Sequence, residues 1–378
     1  MFLLIGCKAE NEAPSRSQVE IQIEEPGNLT LTSAPRETGI IDSQDTPPVL
    51  AGSLDEEPTS DSSTLSSGGI ITGAGNGGGP HVRTFENMVN VISGFPFDPL
   101  SETGVRVAAA QLTNDAIADI IVAEGAKLDA QVRFINGADG SLMRRVIVPY
   151  PGFGGGVFVA AADLNNDGLD DVITGADSGG GSHVRVFSSL PADDNKVLLE
   201  FFAYEADFRG GVRVAAGDVD GDGQIEIITT PGPGRAPTVR VFDGTTGELK
   251  AEFNNNGNST LGLNVSTGDV DGNGDDEIII GLDAGQLPMV LVYDFIDEVD
   301  NQRFKVIGLS VVYDPEFSGG VRVAASDLNG DGKAEIITGA GIGGGPHIRA
   351  IEFATGKIVQ DFFAYDANFR GGVYVSGL

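Results

Sequence analysis

No tryptophan occurs in this chain of 378 residues, cysteine occurs once, histidine three times, and 23 basic residues face 55 acidic ones. Each scarcity excludes something. With Cys7 alone, neither a disulfide within the chain nor a cysteine–histidine zinc site can form. The net charge of −32 argues against nucleic acid and anionic membrane surfaces as partners, because both would repel it. No stretch approaches the roughly 20 apolar residues that a membrane-spanning helix needs. Glycine, by contrast, is abundant at 55 residues, in a chain that is 40% hydrophobic. That mixture fits many short strands and turns rather than long helices.

The charge is unevenly spread, with −9 on residues 1–68 and the remainder on the rest. From Lys8 to Gly68 the chain is rich in Ser, Thr, Pro and Glu and almost free of aromatics. Such a composition buries too little apolar surface to offset chain entropy, so residues 8–68 are expected to form a disordered acidic stalk.

From Ile70 onward the chain repeats. The segment GVxV follows Gly104, Gly156, Gly211, Gly320 and Gly372, with the variant Leu263-Asn264-Val265 after Gly262. An acidic loop opens seven residues after each of the first five such glycines in the ring, at 111, 163, 218, 269 and 327. A β-branched run follows each loop, as in Ile227 to Thr230. A third run opens after a Gly/Pro-rich loop, as in HVRVF at 183–187, and a fourth ends near an aromatic cluster such as FFAYEADF at 201–208. Four short strands in units of about 50 residues, six times over, are the pattern of an all-β β-propeller of four-stranded blades. The chain enters on a second-type strand at Ile70 and finishes with the first-type strand GGVYVSGL. The C-terminal strand should therefore join the N-terminal blade and close a six-bladed ring over residues 69–378, unless the chain is a piece of a longer array.

The loops carry the chemistry. In GDVDGDGQIE, the side chains of Asp218, Asp220 and Asp222 at positions 1, 3 and 5 point to one centre, and Gly223 permits the turn. Gln224 at position 7 offers its backbone carbonyl, and Glu226 at position 9 closes the cage. The same set recurs as Asp163, Asn165, Asp167, Leu169 and Asp171. It recurs again as Asp269, Asp271, Asn273, Asp275 and Glu277, and as Asp327, Asn329, Asp331, Lys333 and Glu335. Hard oxygen donors at this spacing suit calcium better than zinc or copper, and about four Ca2+ ions are expected. An EF-hand would need an acid at position 12 and a helix after it; here position 12 is Thr174, Thr229, Ile280 or Thr338, inside a β-branched run. The copy at 111–119 has Gln111 and Thr113 at positions 1 and 3 and Ala116 in place of glycine, and should bind metal weakly or not at all. Near 61–69 only Asp61 remains of the pattern.

These residues resemble FG-GAP repeats, the blades of the integrin α-subunit propeller, whose loops read D-x-D/N-x-D/N-G-x-x-D/E. GGVRVAAGD, IITGAG and GGGPHVR are closest to the glycine-rich bacterial form. Integrins have seven blades and six are counted here. The resemblance implies a secreted or cell-surface protein that works in adhesion or binding of protein or glycan, without enzymatic activity. Residues 1–7, MFLLIGC, end in Leu4-Ile5-Gly6-Cys7, which is similar to a bacterial lipobox. With only six residues and no basic segment before it, Cys7 is either the lipid-bearing residue of a truncated signal or an accidental match.

Of the remaining groups, His81, His183 and His347 share one repeat position and fall in blades one, three and six, too far apart to converge. They are expected to hydrogen-bond the local glycine loop. Arg83, Arg133, Arg185, Arg240 and Arg349 share a third-strand position, and Arg106, Arg213 and Arg322 a first-strand one; pairing with carboxylates between blades is expected of both sets. The alternative for the inner three is that they line the channel mouth and hold an anion. Phe208 and Phe369 should plug blade junctions. No nucleophile elbow or catalytic constellation stands out. The expectation is a calcium-stabilised extracellular binding module. An enzyme acting on polysaccharide or lipid from a site in the channel, or a purely structural envelope protein, are the alternatives.

Overall fold

The computed structural model describes residues 68–378, apart from 116, 191, 192, 194, 256–258, 300 and 301, together with two short strands nearer the start. Six four-stranded antiparallel sheets stand in a ring. Blade two runs Val105–Ala110, Asp119–Glu124, Val132–Ile135 and Leu142–Ile147. Blades three, four, five and six begin with inner strands Val157–Ala162, Val212–Gly217, Leu263–Gly268 and Val321–Ser326. Blade one takes its inner strand, Val373–Gly377, from the far end of the chain, paired with Ile70–Ala74 so that Val373 faces Ala74 and Gly377 faces Ile70. Each inner strand packs on its two neighbours around the ring, including those of blades one and two, so the circle is closed.

Burial follows position in the blade. Second strands such as Glu226–Pro231 and Glu277–Leu282 are buried at every residue. They lie between the sheets on either side, which is why they read as unbroken β-branched runs rather than as an alternation. Third strands alternate, with Val184 and Val186 buried and His183 and Arg185 half-buried. Glycine in the second strand lets the next blade approach: a Cβ on Gly281 would lie 2.3 Å from the Val321 carbonyl oxygen, and one on Gly175 2.5 Å from that of Val212.

The seams between blades are held by polar groups as well as by packing. The expectation for the third-strand arginines is corrected here. Each donates Nη1 to a backbone carbonyl of the preceding blade: Arg83 to Ala364 at 3.1 Å, Arg133 to Pro96 at 2.7 Å, Arg185 to Pro149 at 2.7 Å, Arg240 to Ala203 at 2.7 Å and Arg349 to Val312 at 2.6 Å. Their carboxylate partners Glu200, Glu252 and Asp361 belong to the fourth strand of the same blade, directly opposite in the ladder. A fixed carbonyl at the seam suits the rigid guanidinium fork better than a mobile acid.

The residue after that carbonyl completes the staple at four seams. The buried Tyr204 hydroxyl donates toward the carbonyls of Thr229 at 3.0 Å and Thr238 at 2.8 Å. Tyr150, Tyr313 and Tyr365 reach the same third-strand carbonyl, that of His183, His347 and His81. Between blades four and five the parts are exchanged. Leu291 stands where the arginine would be, and Tyr293 donates to Asn255 Oδ1 at 2.6 Å.

One departure lies in the expected stalk. Glu20–Ile23 pairs antiparallel with Leu29–Thr32, from Glu20 opposite Thr32 to Ile23 opposite Leu29. EIQI and LTLT each alternate apolar with polar residues, a strand pattern that average composition conceals. Cys7, Asp61 and the rest of residues 1–67 lie outside the described residues.

Replacing Tyr204 by Phe keeps the packing but leaves a buried carbonyl pair without its donor, which costs about 1–2 kcal/mol. Tyr204→Phe should lower the urea unfolding midpoint accordingly; an unchanged midpoint would mean that the seam does not depend on the hydroxyl.

Candidate metal centre

Each acidic loop joins an inner strand to a second strand, so all of them stand on one face of the ring. The backbone winds around the first aspartate. In blade six, Asp327 accepts the N–H groups of Gly330, Asp331 and Gly332, the last at 2.9 Å on Oδ2. Asp163 accepts from Asp167 and Gly168, Asp218 from Gly223 at 2.9 Å, and Asp269 from Gly272, Asn273 and Gly274. The fifth-position side chains of Asp167, Asp222, Asn273 and Asp331 take the N–H of Leu169, Gln224, Asp275 and Lys333. This curl gathers the remaining oxygens on one side of the loop. In blade four one oxygen each of Asp218, Asp220 and Asp222 lie within 4.8 Å of one another, and in blade five those of Asp269, Asp271 and Glu277 do so. In blades three and six the third position is an amide, and Asn165 and Asn329 donate Nδ2 to Asp171 at 3.2 Å and to Glu335 at 2.8 Å.

The ninth-position acids are the buried members. Glu226 and Glu277 are 1% and 0% exposed, and each accepts the N–H of the loop's second residue, at 3.1 Å from Val219 and 2.8 Å from Val270. Desolvation, with Asp220 adding to it, raises the Glu226 carboxyl to about 7. Desolvation raises Glu277 to about 8, with the charges of Asp271, Asp294 and Asp269 adding to it. Asp171 is raised to about 7 by burial first and by Asp167 and Asp163 after it. Oδ1 of Asp218 and of Asp220, Oε1 of Glu277 and Oδ2 of Asp171 are buried without hydrogen-bond partners. Buried carboxylate oxygens that lack donors, held beside like charges, call for a cation.

The degraded loop shows the opposite solution. Asp119 is 0% exposed, but its carboxylate accepts from Gly137 N–H at 2.9 Å, Leu112 N–H at 3.2 Å and the Thr113 hydroxyl at 3.2 Å. Thr113 thus supplies a donor from inside the loop, as Asn165 and Asn329 do in blades three and six and as Asp220 and Asp271 in blades four and five cannot.

One functional group escapes the motif. Lys250, on the fourth strand of blade four, extends its ammonium into that blade's loop, 2.7 Å from Asp220, 2.8 Å from Glu226 and 3.2 Å from Asp222. It sits where the ladder slips by one residue between Val241 and Phe242, a slip that recurs at the same position of blades three, five and six, where no lysine occupies it. The loop with the fullest carboxylate set therefore carries its own cation.

The glycine-rich loops and the connections between blades form the other face. The histidines stay apart, and their rings face the fourth strand of their own blade rather than the glycine loop. His81 Nε2 lies 2.7 Å from Ser93 Oγ, and His81, His183 and His347 stack on Phe95, Phe202 and Phe363 with ring centroids 4.4, 4.7 and 4.8 Å apart. Burial first, and Arg83 second, lowers His81 to about 4. The phenylalanines plug the seams: a Cβ on Gly180 would meet the Phe153 ring at 2.6 Å, and one on Gly78 the Phe369 ring at 2.9 Å. In blade four, Phe208 is buried beside Gly210. Beside the plug at blades two and three lies an opening of about 270 Å³ lined by Tyr150, Phe153, His183 and Arg185. Of the inner arginines, Arg106 pairs with Asp177 and Arg213 with Asp283 at 2.7 Å, both across seams as expected.

Fold and loops together define a β-propeller with acidic metal-type loops on one face. Residues 319–349, which run from the inner strand of blade six through its acidic loop into the third strand, match the FG-GAP repeat family, so the six-bladed propeller contains an FG-GAP repeat in that blade. No curated protein matches the chain. Among solved structures it is similar to a chain of the nidogen/laminin complex, at 11% identity and a TM-score of 0.49, covering 81% of this chain and 97% of that one. It is also similar to a Bacillus licheniformis rhamnogalacturonan lyase, at 14% identity and a TM-score of 0.37, covering 82% and 73%. A second rhamnogalacturonan lyase gives 14% identity and a TM-score of 0.36, with 79% and 69% covered.

A carboxyl raised by folding keeps its proton where the unfolded chain has already released it, so stability falls as pH climbs between the two values. With Glu226 and Glu277 moved from 4.5 to about 7 and about 8, the window for the metal-free protein spans those values. In chelator the thermal midpoint should fall steadily between pH 5 and 8; a level or rising midpoint would contradict the burial of these acids.

Proposed function

We propose that this propeller is stabilised by calcium and works outside the cell as a binding module for a protein or glycan, not as an enzyme. The observation that carries the reading is the convergence of loop carboxylates in blades four and five, together with the buried oxygens of Asp218, Asp220, Glu277 and, in blade three, Asp171 that have no hydrogen-bond partner. The donor set fits calcium. It is all oxygen, it combines carboxylates with side-chain amides, and it is built on a flexible glycine turn. When bound, the ion supplies positive charge that replaces the missing donors. The protein's share is Asp218, Asp220, Asp222 and Glu226 in blade four, with the matching residues in blades three, five and six. Calcium-binding extracellular modules work at roughly 10⁻⁴–10⁻³ M, so sites even that weak would be filled outside a cell.

The binding half rests on the opposite face. Exposed apolar groups recur among its glycine loops, with Phe202 at 57% exposure beside the opening by Tyr150 and His183 and Ile342 at 58% in blade six. An aromatic-lined recess with a few polar groups at its edge suits a sugar ring or a peptide side chain. The histidines are separated and engaged with their own blades, which favours binding over hydrolysis.

Calorimetric titration should give about four calcium sites, and chelator should lower the thermal midpoint; saturation at 100 times Kd contributes about 2.7 kcal/mol per site. An unchanged midpoint in chelator would sink the metal assignment. Lys250→Met, which removes the internal competitor, should tighten one site about tenfold and leave the others alone; a uniform or absent effect would show that the ammonium does not compete. For the ligand, a glycan and surface-protein array run with and without calcium should give calcium-dependent capture. Turnover of any array substrate would overturn the non-enzymatic reading.

A further inference from the structure

The second residue of each inner strand points into the central channel. In ring order from blade two these residues are Arg106, Phe158, Arg213, Asn264, Arg322 and Tyr374, and they enclose a cavity of about 70 Å³. A buried water needs roughly 10–15 Å³, so the cavity takes several waters or one small oxyanion.

Arginine recurs on alternate blades, and each arginine meets the residue that follows the second strand of the next blade. Arg106 meets Asp177 and Arg213 meets Asp283, both as ion pairs. For Arg322 the corresponding residue is Gly75, next after the strand Ile70–Ala74. Two arginines thus have a carboxylate and the third has none. The chain has no space to supply it there, since a Cβ on Gly75 would lie 2.0 Å from the Gly371 carbonyl oxygen.

Arg322 is correspondingly under-satisfied. Its Nη1 is buried without a hydrogen-bond partner, and its guanidinium carbon lies 3.7 Å from the centre of the Tyr374 ring. Nε of Arg106 and both Nε and Nη1 of Arg213 are also buried without partners. Three guanidinium groups against two carboxylates leave one positive charge uncompensated in a narrow, low-dielectric space, where an unpaired charge is costly. Tyr374 reports the same field. Burial would raise its phenol, yet Arg106, Arg322 and Arg213 together hold it below its ordinary value.

We propose that the channel is a binding site for a small carboxylate, which takes at Arg322 the place that Asp177 and Asp283 take at the other two arginines. The guanidinium fork presents paired N–H donors that match a carboxylate, and the aromatic rings of Phe158 and Tyr374 exclude water around it. The site is independent of the acidic loops, which lie at the other ends of the inner strands.

The test uses the full chain in calcium buffer, with formate as the probe and chloride at matched ionic strength as the control. The wild-type thermal midpoint should rise with formate concentration along a saturating curve, as expected for a ligand of the folded state. Arg322→Met should abolish that rise. Asp283→Asn, which frees a second arginine, should lower the half-saturating formate concentration several-fold. Equal wild-type midpoints in formate and chloride would overturn the site, as would an Arg322→Met response equal to wild type. Should Arg322→Met not fold, an Asp283→Asn protein with the wild-type half-saturation overturns it on its own.

Discussion

The structure depends on how the seams between blades treat backbone carbonyls. A propeller blade satisfies its own ladder, but the chain that leaves a fourth strand and crosses to the next blade carries carbonyl groups that no strand pairs. Buried and unpaired, each would cost a large part of a domain's net stability. Here a guanidinium from the following blade takes one such carbonyl, and at four seams a tyrosine hydroxyl reaches the other way. The two bonds fix neighbouring sheets against each other in both directions. At the seam between blades four and five, where Leu291 and Asn255 stand instead, Tyr293 restores a polar link, so the requirement persists when the residues change.

That requirement explains which parts of the sequence were readable. Blade number, strand order and closure followed from the period of the GVxV segments and the β-branched second strands, because burial on both faces leaves an unbroken apolar signature. The first, third, fifth and ninth positions of the loops were equally plain. The partners of the third-strand arginines were not. A backbone carbonyl has no letter of its own, and in so acidic a chain a carboxylate was the natural expectation for Arg185 or Arg240. Lys250 was hidden for a related reason, since its reach into the loop depends on a one-residue slip in the ladder. The hairpin at Glu20–Ile23 and Leu29–Thr32 was masked by averaging over a polar segment.

The loops and the seams solve the same problem by different means. A buried acid such as Asp119 finds its donors inside the protein, from Thr113 and two backbone N–H groups. Glu226 and Glu277 have one backbone donor each and a second oxygen that leans on a cation, an ammonium in one case and none of the protein's own in the other. Thr113 in the Asp119 loop, and Asn165 and Asn329 in blades three and six, donate to the ninth-position acid, whereas Asp220 and Asp271 offer no donor. The third position thus decides how far each buried acid is satisfied from within the protein, without altering the strands.

Gly68 precedes Ile70–Ala74, the second strand of blade one, and its N–H reaches the carbonyl of Leu378. It stands beside Asp327, close enough that a Cβ there would lie 2.7 Å from the Asp327 carbonyl oxygen. The polypeptide therefore enters the ring on the acidic side. The glycine-loop side with its aromatic recess is thus the side remote from the point at which the chain is threaded into the circle.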